Sequence, residues 1–284
     1  MKRQLLGVAA FMLALSAHAQ DNPLWMRYCA ISPDGTSIAF TYKGDIYTVP
    51  VNGGKAAQIT TNAAHDTHPV WSPDGKQIAF ASDRMGSMDI FVVDREGGIP
   101  KRLTTHSGNE TPVAFKDADH ILFLANVMPS AEDAQFPSGQ FQQVYEVSTT
   151  GDRPVMFSSM PMEDISINKT GNALLYHDKK GYEDPWRKHH TSSITRDIWL
   201  CSLDGKRSYR KLTSFNGEDR TPVWASDGKS FYYLSEEKGS FNVFKRALDG
   251  TSSTQLTHHT KHPVRFLTAA DNGTLCYGYD GEIY

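Results

Sequence analysis

The sequence predicts an all-β protein: a six-bladed β-propeller of four-stranded antiparallel blades, with the sixth blade truncated. Three observations carry this prediction. A block of about 43 residues recurs six times between residue 20 and residue 284. Each block resolves into four short β-type runs separated by turn residues. No amphipathic helix of useful length interrupts them.

The repeat is plainest in two copies. Thr67 to Leu103 reads THPVWSPDGKQIAFASDRMGSMDIFVVDREGGIPKRL, and Arg220 to Leu256 reads RTPVWASDGKSFYYLSEEKGSFNVFKRALDGTSSTQL. Pro, Val, Trp, Asp, Gly and Lys fall at the same offsets. Residues 27–61 follow the same plan as ISPDGTSIAF, GDIYTVPVNGG and QIT. Residues 111–151, 164–213 and 261–284 supply weaker copies.

Within a copy the first strand is short and apolar, as in Pro69-Val70-Trp71. Ser72-Pro73-Asp74-Gly75 then forms a turn, with Pro where φ near −65° is wanted and Gly where φ must be positive. Second strands are expected at about 38–42, 78–82, 121–125, 173–177, 230–235 and 274–278. The third strand is rich in β-branched and aromatic residues, as in Ile90 to Val93, and a Gly97-Gly98 turn leads to the fourth, Lys101 to Thr104. One such sheet cannot bury both faces alone, whereas radial stacking buries them all. Because strands alternate in direction, the links between second and third strands share a face with the blade-to-blade links. The long segments 126–141 and 179–195 are both expected on that face, and the Asp-Gly turns on the opposite one.

The first residues are of another kind. Met1-Lys2-Arg3 is basic, Leu5 to Leu15 is an apolar run, and Ala17-His18-Ala19 carries small residues at peptidase-read positions. Residues 1–19 are therefore expected to be a signal peptide, with residues 20–284 exported to the periplasm or beyond. The apolar run is too short to span a bilayer, and no later run could do so. Net charge is −3 with no basic stripe, which argues against a nucleic-acid partner. Three cysteines, Cys29, Cys201 and Cys276, show neither CxxC nor zinc spacing. Export would permit a disulfide, but they read better as separate buried small hydrophobes.

Chemistry is sparse. There is no GxSxG, HExxH, GxGxxG or phosphate loop, so no catalytic, cofactor-binding or metal-ligating residue is assigned. His65, His68, His106, His258, His259 and His262 fall at blade-to-blade links, and His189 and His190 in the second long loop. They read either as a metal or pH-sensing rim or as solvated link residues. Asp45, Asp89, Gln143, Asp197, Asn242 and Glu282 precede the third strands. They read either as a ligand-binding ring or as partners for backbone donors at strand entry.

The run PLWMRYCAISPDGTSIAFTYKGDIYTVPVNGGKAAQIT (23–60), followed by HPVWSPDGKQIAFASDRMGSMDIFVV, resembles the amino-terminal propeller of tricorn-type proteases. These are serine peptidases related to carboxy-terminal processing peptidases. The resemblance covers essentially all of residues 20–284, although Cys29 stands where that family more often has proline. SPDGK and DIF alone are shared with TolB-like propellers and with those of prolyl-oligopeptidase relatives. The resemblance implies a propeller that gates or channels peptide substrates for a serine peptidase. It implies further domains beyond Tyr284: a seven-bladed propeller, a PDZ-like domain and the domain with the catalytic serine. The last residues, Gly281-Glu282-Ile283-Tyr284, align with Gly44-Asp45-Ile46-Tyr47, so the sequence is expected to stop inside a third strand, as a fragment of a longer protein. A non-enzymatic periplasmic scaffold and the propeller half of a prolyl-oligopeptidase-type peptidase are the alternatives. Expected partners are peptide or protein substrates and the remaining domains, with an oligomer allowed. No cofactor is expected.

Overall fold

The computed structural model describes residues 24–126, 141–182, 184, 186 and 191–284. They form six antiparallel sheets in which sequential strands are neighbours, and the sixth has three strands. Blade 1 comprises β1 (Arg27–Ile31), β2 (Ser37–Tyr42), β3 (Asp45–Pro50) and β4 (Ala57–Gln58). Blade 2 comprises β5 (Asp66–Trp71), β6 (Gln77–Ser82), β7 (Asp89–Asp94) and β8 (Lys101–Arg102). Blade 3 comprises β9 (Glu110–Phe115), β10 (His120–Ala125), β11 (Gln143–Ser148) and β12 (Val155–Ser158). Blade 4 comprises β13 (Met162–Ile167), β14 (Ala173–Asp178), β15 (Ile198–Ser202) and β16 (Ser208–Lys211). Blade 5 comprises β17 (Asp219–Trp224), β18 (Ser230–Ser235), β19 (Asn242–Ala247) and β20 (Ser253–Gln255). Blade 6 comprises β21 (Arg265–Ala269), β22 (Leu275–Tyr279) and β23 (Glu282–Ile283).

All six second strands stand within one residue of their expected bounds. First strands are longer than expected: β5 begins at Asp66 rather than Pro69. The reason is a bulge that absorbs the proline, seen as a register shift between Thr67 and Val70. Fourth strands are short for the opposite reason, since they lie outermost and partly exposed.

Apolar side chains form six slabs, one between each pair of neighbouring blades, rather than one nucleus. Ile46 and Ala39 of blade 1 meet Phe80 and Ile78 of blade 2. Leu175 and Ile198 of blade 4 meet Phe231 and Phe244 of blade 5. Cys29, Ile31 and Phe40 of blade 1 meet Ala270 and Cys276 of blade 6. Second strands are covered on both faces, which is why IAFAS and ILFLA read as continuous runs rather than alternations.

The turns explain the SPDG signature. Ser72 Oγ donates to Asp74 Oδ1 at 2.7 Å and accepts from Gln77 N at 2.9 Å. Gly75 takes φ +67° there, a conformation a side chain would strain. Blade 3 has no glycine at this point and closes instead through Lys116 N to the His120 carbonyl at 2.9 Å. On the other face, among the described residues, four of the five blade-to-blade links bond the preceding second-to-third link. Asp66 N donates to Gly44 O, Glu110 N to Met88 O and Asp219 N to Arg196 O. The face assignment therefore holds for the described part of 179–195, whereas 127–140 lies outside the described residues.

Candidate functional site

The innermost strands of all six blades enclose an axial cavity of about 1050 Å³. Midway its wall is built of small or medium side chains, Ala30, Val70, Val113, Ser166, Val223 and Thr268, which keeps the axis open. Around the turn-side mouth lie Pro33, Pro73, Asp117, Lys169 and Asp271. There Lys169 Nζ lies 3.0 Å from Asp271 Oδ2, linking the turns of blades 4 and 6.

The opposite, link-side mouth holds the polar chemistry, and a repeated backbone device builds it. Tyr28, His68, Asp164, Thr221 and Phe266 all have φ between +49° and +57°. Each stands at the register shift of its first strand. A left-handed non-glycine costs about 1–3 kcal/mol, and a β-branched residue such as Thr221 is the hardest to place there. The same strain at five equivalent positions, all lining the cavity, marks the link-side mouth as the part of the fold where stability has been traded for side-chain direction. Blade 3 is the exception, because its bulge falls nearer Val113.

One half of this mouth is aromatic. The Tyr28 and His68 rings lie 3.7 Å apart, and Tyr28 lies 4.8 Å from Phe266. Trp186, from the described part of the 179–195 segment, reaches across from blade 4. Its ring packs near Phe266 and lies 4.9 Å from the Arg27 guanidinium and 4.7 Å from that of Arg265. Arg265 Nη2 also donates to the Trp186 carbonyl at 3.0 Å. Burial pulls His68 down to about 4, so its ring is neutral at pH 7.

The other half is a charge network. Glu163 Oε1 accepts from Lys179 Nζ at 2.7 Å, and its Oε2 accepts from His177 Nε2 at 3.2 Å and Arg196 Nε at 3.3 Å. Arg196 and Arg220 converge on Glu218 Oε1 at 3.1 and 3.5 Å. Thr221 N donates to His177 Nδ1, which fixes the Nε2–H tautomer, and Thr221 Oγ1 donates to Asp164 Oδ2 at 2.6 Å. Burial works to raise the Glu163 carboxyl, but His177, Arg196 and Lys179 outweigh it and hold it well below the ordinary range. Burial lowers Arg220 to about 10, Glu218 opposing and Arg265 and Arg196 adding to the fall, so it stays charged at neutral pH. The mouth thus presents an aromatic face on one side and a network of mutually paired guanidiniums and carboxylates on the other.

The residues singled out in the sequence lie elsewhere, with one exception. His68 reaches the cavity. His65, His106 and His258 are exposed on separate links. His259 stacks on Tyr279 at 3.8 Å, and His262 Nε2 lies 3.2 Å from Asp280 Oδ1. His189 and His190 lie outside the described residues. Among the described residues, no three His, Cys, Asp or Glu side chains gather to hold a metal. Of the six residues before the third strands, five are engaged inside their own blades, Glu282 by accepting from the Tyr284 hydroxyl. Asp45 accepts from Thr60 and Asn242 from Thr257, while Asp89 meets Arg102 and Asp197 meets Lys211. The backbone donors at strand entry are met by the threonines instead: Ile46 N by Thr60, Ile90 N by Thr104, Ile198 N by Thr213 and Val243 N by Thr257.

Glu163, His177, Arg196, Arg220 and Trp186 were not singled out by spacing. A signal did exist for some: Arg27, Glu163, Arg220 and Arg265 occupy one repeat position, just before the left-handed residue, and put a charge into an otherwise apolar strand.

Comparison with known proteins agrees with this architecture. The family described as the tricorn protease N-terminal beta propeller domain matches residues 23–284. Tricorn protease homolog 1 of Streptomyces coelicolor is 25% identical over 264 residues, covering 92% of this chain and 23% of that protein. The chain thus spans about a quarter of that relative's length. An uncharacterized protein of Agrobacterium fabrum is 34% identical over 216 residues, 72% of this chain and 68% of that protein. The crystal structure of the tricorn protease superposes with a TM-score of 0.75 at 20% identity, over 92% of this chain and 25% of that one. With a family match across residues 23–284 and six sheets around one axis, the chain belongs to the tricorn protease N-terminal β-propeller family.

Proposed function

We propose that this propeller is the peptide-passage module of an exported tricorn-type serine peptidase, gating substrates or products along its axis. The observation that carries the reading is the axial cavity of about 1050 Å³, lined by all six innermost strands. A volume of that size suits an extended segment of a few residues and excludes a folded domain. Peptide-bond hydrolysis belongs, on this reading, to domains that the matched quarter of the relatives does not include. Export rests on the basic-then-apolar character of residues 1–19.

The test fills the channel. Val113→Phe with Val223→Phe puts two rings into the waist of the cavity without touching the charged mouth or removing a side-chain hydrogen bond between blades. Fluorescence anisotropy with labelled eight-residue peptides should show binding to the wild type and at least a tenfold loss in the filled variant. Unchanged affinity would reject axial passage. A reporter enzyme active only outside the cytoplasm, fused after residue 19, tests export.

A protein-binding scaffold is the second reading. The Agrobacterium relative favours it, because the match already takes up 68% of that protein and leaves little room for a peptidase. A scaffold would bind a folded partner on its rim, and the filled variant would keep that binding.

A further inference from the structure

Each of the first five blades is joined to the next by the polypeptide itself. Blade 6 and blade 1 are not, and the ring closes there through side chains and single hydrogen bonds. Ile31 N donates to Thr268 Oγ1 at 3.0 Å, Asp271 N to Pro33 O at 2.9 Å and Met26 N to Gly281 O at 3.2 Å. Among the described residues, no strand of one blade pairs with a strand of the other.

Two of the three cysteines stand at this seam. Cys29 lies on β1 and is 2% exposed; Cys276 lies on β22 and is 0% exposed. Both belong to the slab that joins blade 1 to blade 6. The register brings them together. Thr268 pairs with Cys276 across blade 6 and, through its hydroxyl, holds Ile31, two residues along β1 from Cys29. Cys29 Sγ is 3.4 Å from the Phe266 carbonyl of the same blade 6 strand. The neighbouring Cys276 side chain, ahead of burial, pushes the Cys29 thiol well up from its ordinary value. Cys201 is remote from both, on β15 of blade 4.

We propose that Cys29 and Cys276 are a disulfide-forming pair that closes the propeller ring covalently at the seam between blade 6 and blade 1. The oxidant is a small or protein disulfide, such as oxidised glutathione or a thiol–disulfide oxidoreductase. One cysteine thiolate attacks a sulfur of that disulfide and expels a thiolate, giving a mixed disulfide. The second cysteine thiolate then attacks the protein sulfur of the mixed disulfide and expels the other thiolate. One S–S bond forms in the protein and one breaks in the oxidant. The two electrons and two protons lost by the cysteines leave as two thiols. Burial makes both thiols slow to react in the closed ring, so the bond forms during folding or transient opening of the seam. A bridge between residues 29 and 276 encloses nearly the whole described chain, the case in which the unfolded state is constrained most.

The test uses the intact protein, denatured, reduced and refolded in a buffer of reduced and oxidised glutathione. Thiol titration under denaturing conditions should find one free thiol of three, and peptide mapping without reductant should join the Cys29 and Cys276 peptides. The oxidised protein should melt about 5 °C or more above the same sample with reductant. Cys276→Ser should leave its two remaining thiols free and abolish the effect of reductant on melting. Three free thiols, a bridge to Cys201, or oxidised protein melting no higher than reduced protein would each overturn the proposal. The result does not depend on peptide passage or on export.

Discussion

The Trp71 indole donates through Nε1 to the Ala30 carbonyl at 2.8 Å, tying the first strand of blade 2 to that of blade 1. Trp224 repeats the bond to Ser166 O at 3.0 Å, from blade 5 to blade 4. The recurring Pro-Val-Trp is therefore a blade-to-blade fastener. Trp71→Phe keeps most of the packing but removes this cross-blade bond, and should destabilise by about 0.5–1.5 kcal/mol. Trp71→Ala adds a cavity and should cost about 3–5 kcal/mol. Urea unfolding of the three proteins checks both values; equal midpoints for wild type and Trp71→Phe would show that the bond contributes nothing.

Thr213 is one of the four threonines that accept a strand-entry N–H, here from Ile198 at 2.9 Å in a buried setting. Thr213→Val preserves shape and leaves that donor unpaired, for an expected loss of about 1–3 kcal/mol. Thr251→Val, at an exposed turn, should change stability by less than about 0.5 kcal/mol. Hydrogen exchange at the Ile198 amide should quicken in the first variant and not in the second.

Glu110, buried at the blade 2 to blade 3 link, has its carboxyl pushed up by burial from 4.5 to about 7; the Thr104 hydrogen bond and Arg102 oppose this and Asp89 adds to it. Because the folded value lies above the unfolded one, its favourable contribution is complete below pH 4.5 and is lost as pH rises through about 7. Asp219 behaves alike, raised by burial to about 6. Glu110→Gln should therefore stabilise the protein at pH 8.5 relative to wild type and change little at pH 4.5, a difference on the order of 3 kcal/mol. Melting curves across that range check it, and parallel profiles would refute it.

Glu163 titrates in the opposite sense. Its folded value is depressed, so its contribution is present above the ordinary 4.5 and is lost as pH falls below it. Glu163→Gln should cost about 2–4 kcal/mol at pH 7, since His177, Lys179 and Arg196 lose their common partner. It should also flatten the acid limb of the stability profile. Chemical unfolding at pH 7 and pH 4 separates the two effects.

The residues alone determined the blades. Ser-Pro-Asp-Gly fixes a turn within four residues, and continuous runs such as IAFAS and ILFLA declare strands covered on both faces, so all six second strands were legible. Tertiary structure decided the site. Glu163, His177 and Arg196 share one blade but come from three of its segments, and Glu218, Arg220 and Trp186 join them only because six first strands converge on one axis. Their direction depends on left-handed residues that are not glycine, for which the sequence carries no mark. The meeting of Cys29 with Cys276 is decided later still. Residues at opposite ends of the chain become neighbours only when the sixth blade packs against the first, and no local pattern encodes that contact.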